Sequence, residues 1–178
     1  MILLLAKLEK TKKQIKNVTI FWKMFIKILA IGKINNSPYQ DIFNLYHKRI
    51  KWNINIKELE IKENSKKIPE KIIIEKEEKL FLENITDDTI LICLDSRGKI
   101  LSTEDFSEMI NNYRESSHKI CFAIGGASGF GQKIRKRANH IISFGKITLP
   151  HLMARAVLIE QIYRSYTIIN NHPYHNGH

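Results

Sequence analysis

Apolar and polar positions alternate along the chain in blocks that predict strands and helices in turn. Three largely apolar runs, residues 25–31, 89–94 and 119–124, are typical of strands covered on both faces of a sheet. Shorter runs at 54–61 and 141–144 add two more strands, and the 89–94 strand is expected to end at Asp95. This alternation predicts an α/β fold with a mostly parallel sheet and helices on both faces.

Helix starts are marked by capping signals between these strands. Ser37 followed by Pro38 provides an N-cap and a proline at the first helical position, and Ile42, Leu45 and Tyr46 then form the stripe that this helix is expected to bury.

Three further helices follow the same logic. One begins at Pro69 and runs to about residue 82 with Glu and Lys on its exposed positions, and one runs from His151 to 169. The third starts at a capping box from Ser102 to Asp105. Its apolar face is formed by Phe106, Met109, Ile110 and Tyr113.

Residues 1–23 do not follow this rhythm. Met24 stands directly before the first strand, so we expect 24–178 to form a single domain. Residues 1–23 are then an extension that is dispensable, or one that results from an upstream start site.

Composition narrows the class of protein. The chain is 43% hydrophobic, which excludes a disordered or collagen-like chain. A net charge of +11 indicates a polyanionic partner such as a nucleic acid, although the Ile, Lys and Asn bias is also compatible with nucleotide composition of the gene.

Cysteine and histidine usage argues against disulfides and metals. Cys93 and Cys121 both lie in apolar runs, where free cysteine behaves as a small hydrophobe. The seven histidines show no metal-ligand spacing, so no metal site is expected.

No apolar stretch has the roughly 18 residues of a membrane span, and the N-terminus does not resemble a secretory signal, so we expect a cytoplasmic protein.

The ends of the buried strands are the expected ligand site. In parallel sheets ligands bind at the carboxyl ends of strands, here at residues 94–95, 124–126 and 144–145. The glycine-rich loop 125–131 matches no phosphate motif, but it permits close approach of a backbone or a flat ligand; a tight turn is the alternative. A basic run follows this loop and consists of Lys133, Arg135, Lys136 and Arg137. It either neutralises nucleic-acid phosphates or is a solvated helix face.

Several blocks of sequence, taken together, resemble the motifs of a known protein family. They are Leu94-Asp95-x-x-Gly98-Lys99, residues 102–106, Phe122-x-Ile124-Gly125-Gly126-x-x-Gly129, residues 143–151, Arg155-x-x-Leu158-x-Glu160-Gln161-x-Tyr163-Arg164, and Pro173-Tyr174-His175. Over residues 24–175 the chain resembles the 23S ribosomal RNA pseudouridine N3-methyltransferases of the SPOUT superfamily. Residues 1–23 have no counterpart there, and the chain continues through 176–178 where that family usually ends.

The resemblance implies a deep C-terminal trefoil knot built from the loops after residues 94, 124 and 144. It also implies S-adenosylmethionine as cofactor, held mainly through backbone atoms. The implied cofactor-binding residues are Leu94, Gly125, Gly126, Phe144, Gly145, Lys146, Ile147, Thr148 and Leu149.

The resemblance further implies a homodimer that methylates N3 of a pseudouridine in the 23S rRNA of the assembled ribosome. Candidate catalytic residues are His151, Arg155, Glu160, Tyr174 and His175, and candidate RNA-binding residues are Lys133, Arg135, Lys136, Arg137 and Arg164. Glu160 and Arg164 are also spaced for a simple helical ion pair. Two alternatives stay open: a knotted RNA-binding protein without catalysis, and a SPOUT enzyme acting on transfer RNA.

Overall fold

Strands and helices alternate through the residues that the structure, a computed structural model, describes: 24–61 and 68–175. The strands are β1 (Phe25–Ile31), β2 (Asn53–Leu59), β3 (Thr89–Ile100), β4 (Lys119–Ile124) and β5 (His140–Ser143). The helices are α1 (Pro38–His47), α2 (Glu70–Leu82), α3 (Thr103–Glu115), α4 (Gln132–Arg137) and α5 (His151–Ile169), followed by a 3-10 turn at Pro173–His175. The predicted extension 1–23 and the tail 176–178 lie outside the described residues.

The strands form one sheet in the order β2-β1-β4-β3-β5, and each neighbouring pair is parallel. The central strand β1 aligns Ile28 with Ile56 of β2 on one side and with Phe122 of β4 on the other. The predicted α/β fold with a parallel sheet is confirmed, and the carboxyl ends of the strands meet at one edge.

Helices cover both faces of this sheet, as predicted. One core cluster includes Phe43 of α1, Ile110 of α3 and Leu158 of α5. The cluster on the opposite face includes Phe81 of α2 and Ile134 of α4. Successive strand residues contribute alternately to the two clusters, because their side chains point to opposite faces of the sheet.

The two cysteines are fully buried in the second cluster and are not disulfide-bonded. Burial raises the pKa of both thiols, Cys93 and Cys121, to about 12. Both therefore behave as small hydrophobic residues, in agreement with their apolar sequence context.

The buried stripe predicted for α1 is wrong for Ile42 and Leu45 and confirmed for Tyr46. Ile42 and Leu45 are 41% and 48% exposed, whereas Phe43 is buried and Tyr46 packs on Tyr163 of α5 with ring centroids 5.6 Å apart. The helix packs mainly against α5, and residues 43 and 46 share the face turned toward it. The predicted start is confirmed, since Ser37 Oγ accepts a hydrogen bond from the Tyr39 N–H at 3.1 Å.

The capping box of α3 forms as predicted. Ser102 Oγ accepts from the Asp105 N–H at 3.0 Å, and Asp105 Oδ2 accepts from the Ser102 N–H at 3.4 Å. Phe106 and Ile110 are buried, which confirms the apolar face of this helix.

Strand β3 does not end near residue 94 as expected. It continues to Ile100 with an irregular segment, because Leu94 and Lys99 both align with Ile142 of β5. The chain bulges away from β5 after Leu94 and then returns to it. Strand β5 itself begins one residue earlier than predicted, at His140.

Gly98 permits this return. A Cβ atom at Gly98 would lie 2.6 Å from the carbonyl carbon of Ile142 and 2.7 Å from that of Ile141. The bulge of β3 therefore crosses the β5 backbone at a distance that no side chain allows. A close crossing of this kind is compatible with the predicted trefoil knot.

We expect Gly98→Ala to lower the free energy of unfolding by about 2 kcal/mol or more, because the new methyl group overlaps the β5 backbone. Chemical denaturation measures the change, and exposed Ser96→Ala is the control, expected to change stability by less than about 0.5 kcal/mol. Equal stability of the two variants would contradict the close crossing.

Candidate functional site

The three predicted ligand loops leave adjacent strands at the same edge of the sheet. Leu94 aligns with Ile124 of β4 on one side and with Ile142 of β5 on the other. Parallel pairing therefore brings together Leu94, Gly125 and the segment that begins at Phe144.

The segment after β5 is open to solvent and conformationally unusual. Gly145 has φ of +131°, a backbone conformation that favours glycine, and no atom lies within 4 Å of where its Cβ would stand. Lys146 and Thr148 are exposed, and Ile147 is 69% exposed. Phe144, by contrast, is anchored by an edge-on contact with Phe106, and Ser143 Oγ accepts a hydrogen bond from the Gly145 N–H at 3.3 Å.

Two cavities flank the predicted cofactor residues. One of about 210 Å³ lies between β3, α3 and α5, and its lining includes Leu101, Ser102, Phe144, Val157 and Gln161. The other, of about 330 Å³, lies at the carboxyl ends of β1, β2 and β4, and its lining includes Gly32, Leu59, Glu77, Gly126, Ser128 and His151.

Two glutamates of α2 hold the glycine-rich loop, although the sequence suggested that charges on this helix are exposed. Glu77 Oε2 accepts from the Gly126 N–H at 3.2 Å, and Glu78 Oε2 accepts from the Lys133 N–H at 2.8 Å. Glu77 and Glu78 are only 5% and 7% exposed. Burial raises the pKa of Glu77, an effect that the Gly126 N–H partly opposes.

Helical phase is the signal that identifies these glutamates. They precede the buried Phe81 by four and three residues, so all three side chains share one face of α2.

The bulge after Leu94 is held to α4 by charge. Asp95 accepts from the Arg97 N–H at 3.0 Å and from Arg97 Nε at 3.1 Å, and Arg135 Nη2 also donates to it. Burial alone would raise the pKa of Asp95, but its hydrogen bonds to Arg97 and the charge of Arg135 lower it below the usual value. The carboxylate therefore joins the β3 bulge to the basic segment.

The basic run divides into two held and two exposed cations. Arg135 is bound to Asp95, and Arg137 Nη2 donates to the backbone carbonyls of Thr86 and Thr89 at 3.0 and 2.9 Å. Both arginines thus fasten α4 to the β3 region. Lys133 and Lys136 are exposed, although Lys133 Nζ lies 3.9 Å from a Glu78 oxygen.

Arg155, a catalytic candidate, is one of the most deeply buried side chains described, at 2% exposure. Its Nη1 pairs with Glu58 Oε1 at 2.9 Å, and its Nη2 donates to the carbonyls of Ile31 and Gly32, each at 2.6 Å. Burial lowers the pKa of the guanidinium, and Glu58 opposes that shift. Arg155 therefore joins α5 to the carboxyl ends of β1 and β2.

His151 is an exposed residue at the start of α5, beside the second cavity. Its Nε2 would lie 3.7 Å from a Cβ placed at Gly32. Partial burial lowers the pKa of this imidazole, and the charge of Arg155 lowers it further. The ring is therefore predominantly neutral at physiological pH and available to accept a proton.

Glu160, Arg164 and Tyr174 form a separate cluster. Arg164 Nη2 donates to Glu160 Oε1 at 2.6 Å and its guanidinium lies 5.2 Å from the Tyr174 ring centroid. The pKa of the Tyr174 phenol is raised to about 12, first by burial and next by its hydrogen bond to Tyr46, so the phenol can donate a proton but is a poor base. The His175 backbone lies in the adjacent 3-10 turn, and its side chain is outside the described atoms.

The catalytic candidates therefore divide into two groups within one chain. His151 and Glu160 are both on α5 and nine residues apart, which corresponds to about 14 Å along the helix axis. The structure brings His151 and Arg155 together near Gly32, and groups Glu160 with Arg164 and Tyr174 further along the helix.

Across residues 24–61 and 68–175, no three His, Cys, Asp or Glu side chains are grouped as metal ligands. In that same part of the chain, no helix is long and apolar enough to cross a membrane.

Comparison with known proteins gives a consistent result over the whole described fold. A family model described as "Predicted SPOUT methyltransferase" matches residues 24–175. Ribosomal RNA large subunit methyltransferase H of Rhodospirillum centenum is 35% identical over 155 residues, covering 86% of this chain and 100% of that protein. The protein of the same name from Clostridium botulinum (strain Hall) is 37% identical over 158 residues, covering 85% and 99%.

A solved structure supports the fold alone. The crystal structure of a probable methyltransferase from Bordetella pertussis Tohama I is similar with a TM-score of 0.50 at 8% identity, covering 83% of this chain and 96% of that one. Because the family match includes all three strand-end loops and the helix that follows them, the chain belongs to the SPOUT methyltransferase family and is a methyltransferase.

Proposed function

We propose that this protein uses S-adenosylmethionine to methylate N3 of a pseudouridine in the 23S rRNA of the assembled ribosome. The observation that carries the proposal is similarity to ribosomal RNA large subunit methyltransferase H along the full length of that relative. The proposed substrate also places the protein in the cytoplasm.

The residues at the strand ends fit the methyl donor. Gly145 leaves an open space where any other residue would place a Cβ, and residues 146–148 beside it are exposed. Leu94, Gly125, Gly126 and the segment 144–149 would hold S-adenosylmethionine. The donor supplies a methyl group already activated on a sulfonium, so orientation of the two reactants provides much of the rate.

His151 is the favoured base among the candidates. Methylation at N3 requires loss of the N3 proton, and the neutral imidazole of His151 can accept it at a ring nitrogen. Arg155 fixes the strand ends beside this imidazole, and the positive charge of Arg155 helps to keep the imidazole neutral. Tyr174 retains its proton at neutral pH and is suited to donate a hydrogen bond to a carbonyl group of the pseudouridine.

A homodimer would reconcile the two separated groups of candidates, because a second chain can supply the Glu160–Tyr174 cluster to the His151 side. Apolar side chains exposed on α1, α5 and the loop before α5 fit such an interface. They are Ile42, Leu45, Ile147 and Met153.

Contact with RNA is assigned to the cations that are not required by the fold. Lys133 and Lys136 are exposed beside the glycine-rich loop, whereas Arg164, toward the other end of α5, is partly buried and paired with Glu160. Arg135 and Arg137, also predicted to bind RNA, are bound to Asp95 and to backbone carbonyls, which favours a structural role for both.

A strain lacking this protein is expected to lose one methyl group from a pseudouridine of its 23S rRNA. Mass mapping of rRNA and transfer RNA from deletion and parent strains measures the loss. Intact rRNA methylation with a methyl group missing from transfer RNA would contradict the proposed substrate.

Calorimetry of the purified protein with S-adenosylmethionine tests the cofactor separately. Saturable binding is expected. Its absence would favour a knotted RNA-binding protein without catalysis.

His151→Ala is expected to lower kcat by about 100-fold while leaving donor affinity unchanged, because it removes a proton acceptor and not a donor contact. In the wild type, kcat/KM should decline on acidification with a midpoint below the usual histidine pKa, since partial burial lowers the pKa of His151.

Steady-state assays over a pH series measure kcat and kcat/KM, and calorimetry measures donor affinity. Exposed His118→Ala is the matched control and should retain the wild-type profile. An unchanged rate for His151→Ala would remove this residue from the mechanism.

A further inference from the structure

Consecutive buried carboxylates support the two ends of the glycine-rich loop. Glu77 binds the Gly126 N–H, next to the end of β4, and Glu78 binds the N–H groups of Lys133 and Ile134, at the start of α4. The two side chains leave adjacent positions of α2 and are almost equally buried. Their chemistry and surroundings are matched, but the segments that they hold differ.

Each carboxylate lies directly against a glycine. A Cβ atom at Gly126 would overlap Glu77 Oε1, and a Cβ atom at Gly131 would overlap Glu78 Oε2. Glycine at these two positions is therefore what allows the carboxylates to reach the loop backbone. Because Gly126 has no side chain, the Glu77 carboxylate can contact its backbone from inside the fold, and a ligand can approach the same backbone from outside.

The Glu77 contact fixes the orientation of one peptide group. The N–H of Gly126 and the C=O of Gly125 belong to the same planar peptide unit and point in opposite directions. Holding the N–H toward Glu77 therefore turns the Gly125 carbonyl away from α2. A hydrogen bond from the Gly129 N–H to the Gly126 carbonyl at 3.1 Å fixes the next peptide group of the turn.

We propose that Glu77 is a positioning residue for the methyl-donor site, which it shapes by fixing the Gly125–Gly126 peptide group. This inference rests on the proposed function, in which Gly125 and Gly126 contact S-adenosylmethionine. Glu78 has no such role, because its hydrogen bonds cap α4 at a distance of several residues from that peptide.

Donor affinity separates this role from a general contribution to folding. Glu77→Ala should weaken S-adenosylmethionine binding by about tenfold or more, because the Gly126 N–H loses its acceptor and the peptide is free to rotate. Glu77→Gln keeps an oxygen in the same place and should bind the donor within about threefold of wild type. Glu78→Ala, the matched control, should bind it within about twofold, although it loses a helix cap and unfolds at a lower temperature.

Isothermal titration calorimetry with S-adenosylmethionine and thermal unfolding of each variant give the two readouts. The inference is overturned if Glu77→Ala binds the donor as tightly as wild type, or if Glu78→Ala loses affinity by the same factor.

If Glu77→Ala does not fold, Glu77→Asp and Glu78→Asp replace the pair, since each shorter side chain withdraws one carboxylate from the N–H group that it holds. Loss of donor affinity only in Glu77→Asp supports the role of Glu77, and equal affinities contradict it. A wild-type protein that fails to bind the donor refutes the proposed function instead.

Discussion

The crossing of the β3 bulge over β5 is the constraint on which the rest of the site depends. Gly98 allows residues 95–98 to leave the sheet and return to the same strand at Ile142, where a side chain would have kept the two backbones apart. The bulge places Asp95 against Arg135, and that pair in turn positions the segment after the glycine-rich loop. Short loops at neighbouring strand ends thus become one connected surface.

Buried charges connect this surface to the supporting helices. Arg155, Glu77, Glu78 and Asp95 each bind backbone groups of a loop or strand end, and each is withdrawn from solvent. Removing such groups from water is costly, so their net contribution to stability is small. Their effect is to select one backbone arrangement, which a site built from main-chain atoms requires.

The sequence predicted the positions of strands and helices more completely than the contacts between them. Periodicity and capping signals identified all five described strands and the sites where α1 and α3 begin, because these depend on residues close together in the chain. The continuation of β3 depends on pairing with β5, some 40 residues later, and was not visible locally. The buried face of α1 was predicted only in part, with Ile42 and Leu45 in place of Phe43, because α5, more than 100 residues away, determines which side is covered.

Candidate site residues show the same division. Leu94, Gly125 and Phe144 follow buried strands, so a parallel sheet was sufficient to bring them to one edge. The structural use of Arg135 and Arg137 depends on partners 40 and 48 residues away, and a run of cations alone does not reveal it. Glu77 was predictable from its spacing to Phe81, but its hydrogen bond to Gly126 was not.

The partners of Arg155 have a consequence for how the protein is made. Glu58 and the carbonyl of Ile31 precede Arg155 by 97 and 124 residues, so these bonds form only after most of the chain has left the ribosome. Contacts of such high sequence separation slow folding. Docking of the last helix is therefore a late event, and a nascent chain that stops before it lacks both the apolar cover of one face of the sheet and the Arg155 bonds that fix its edge.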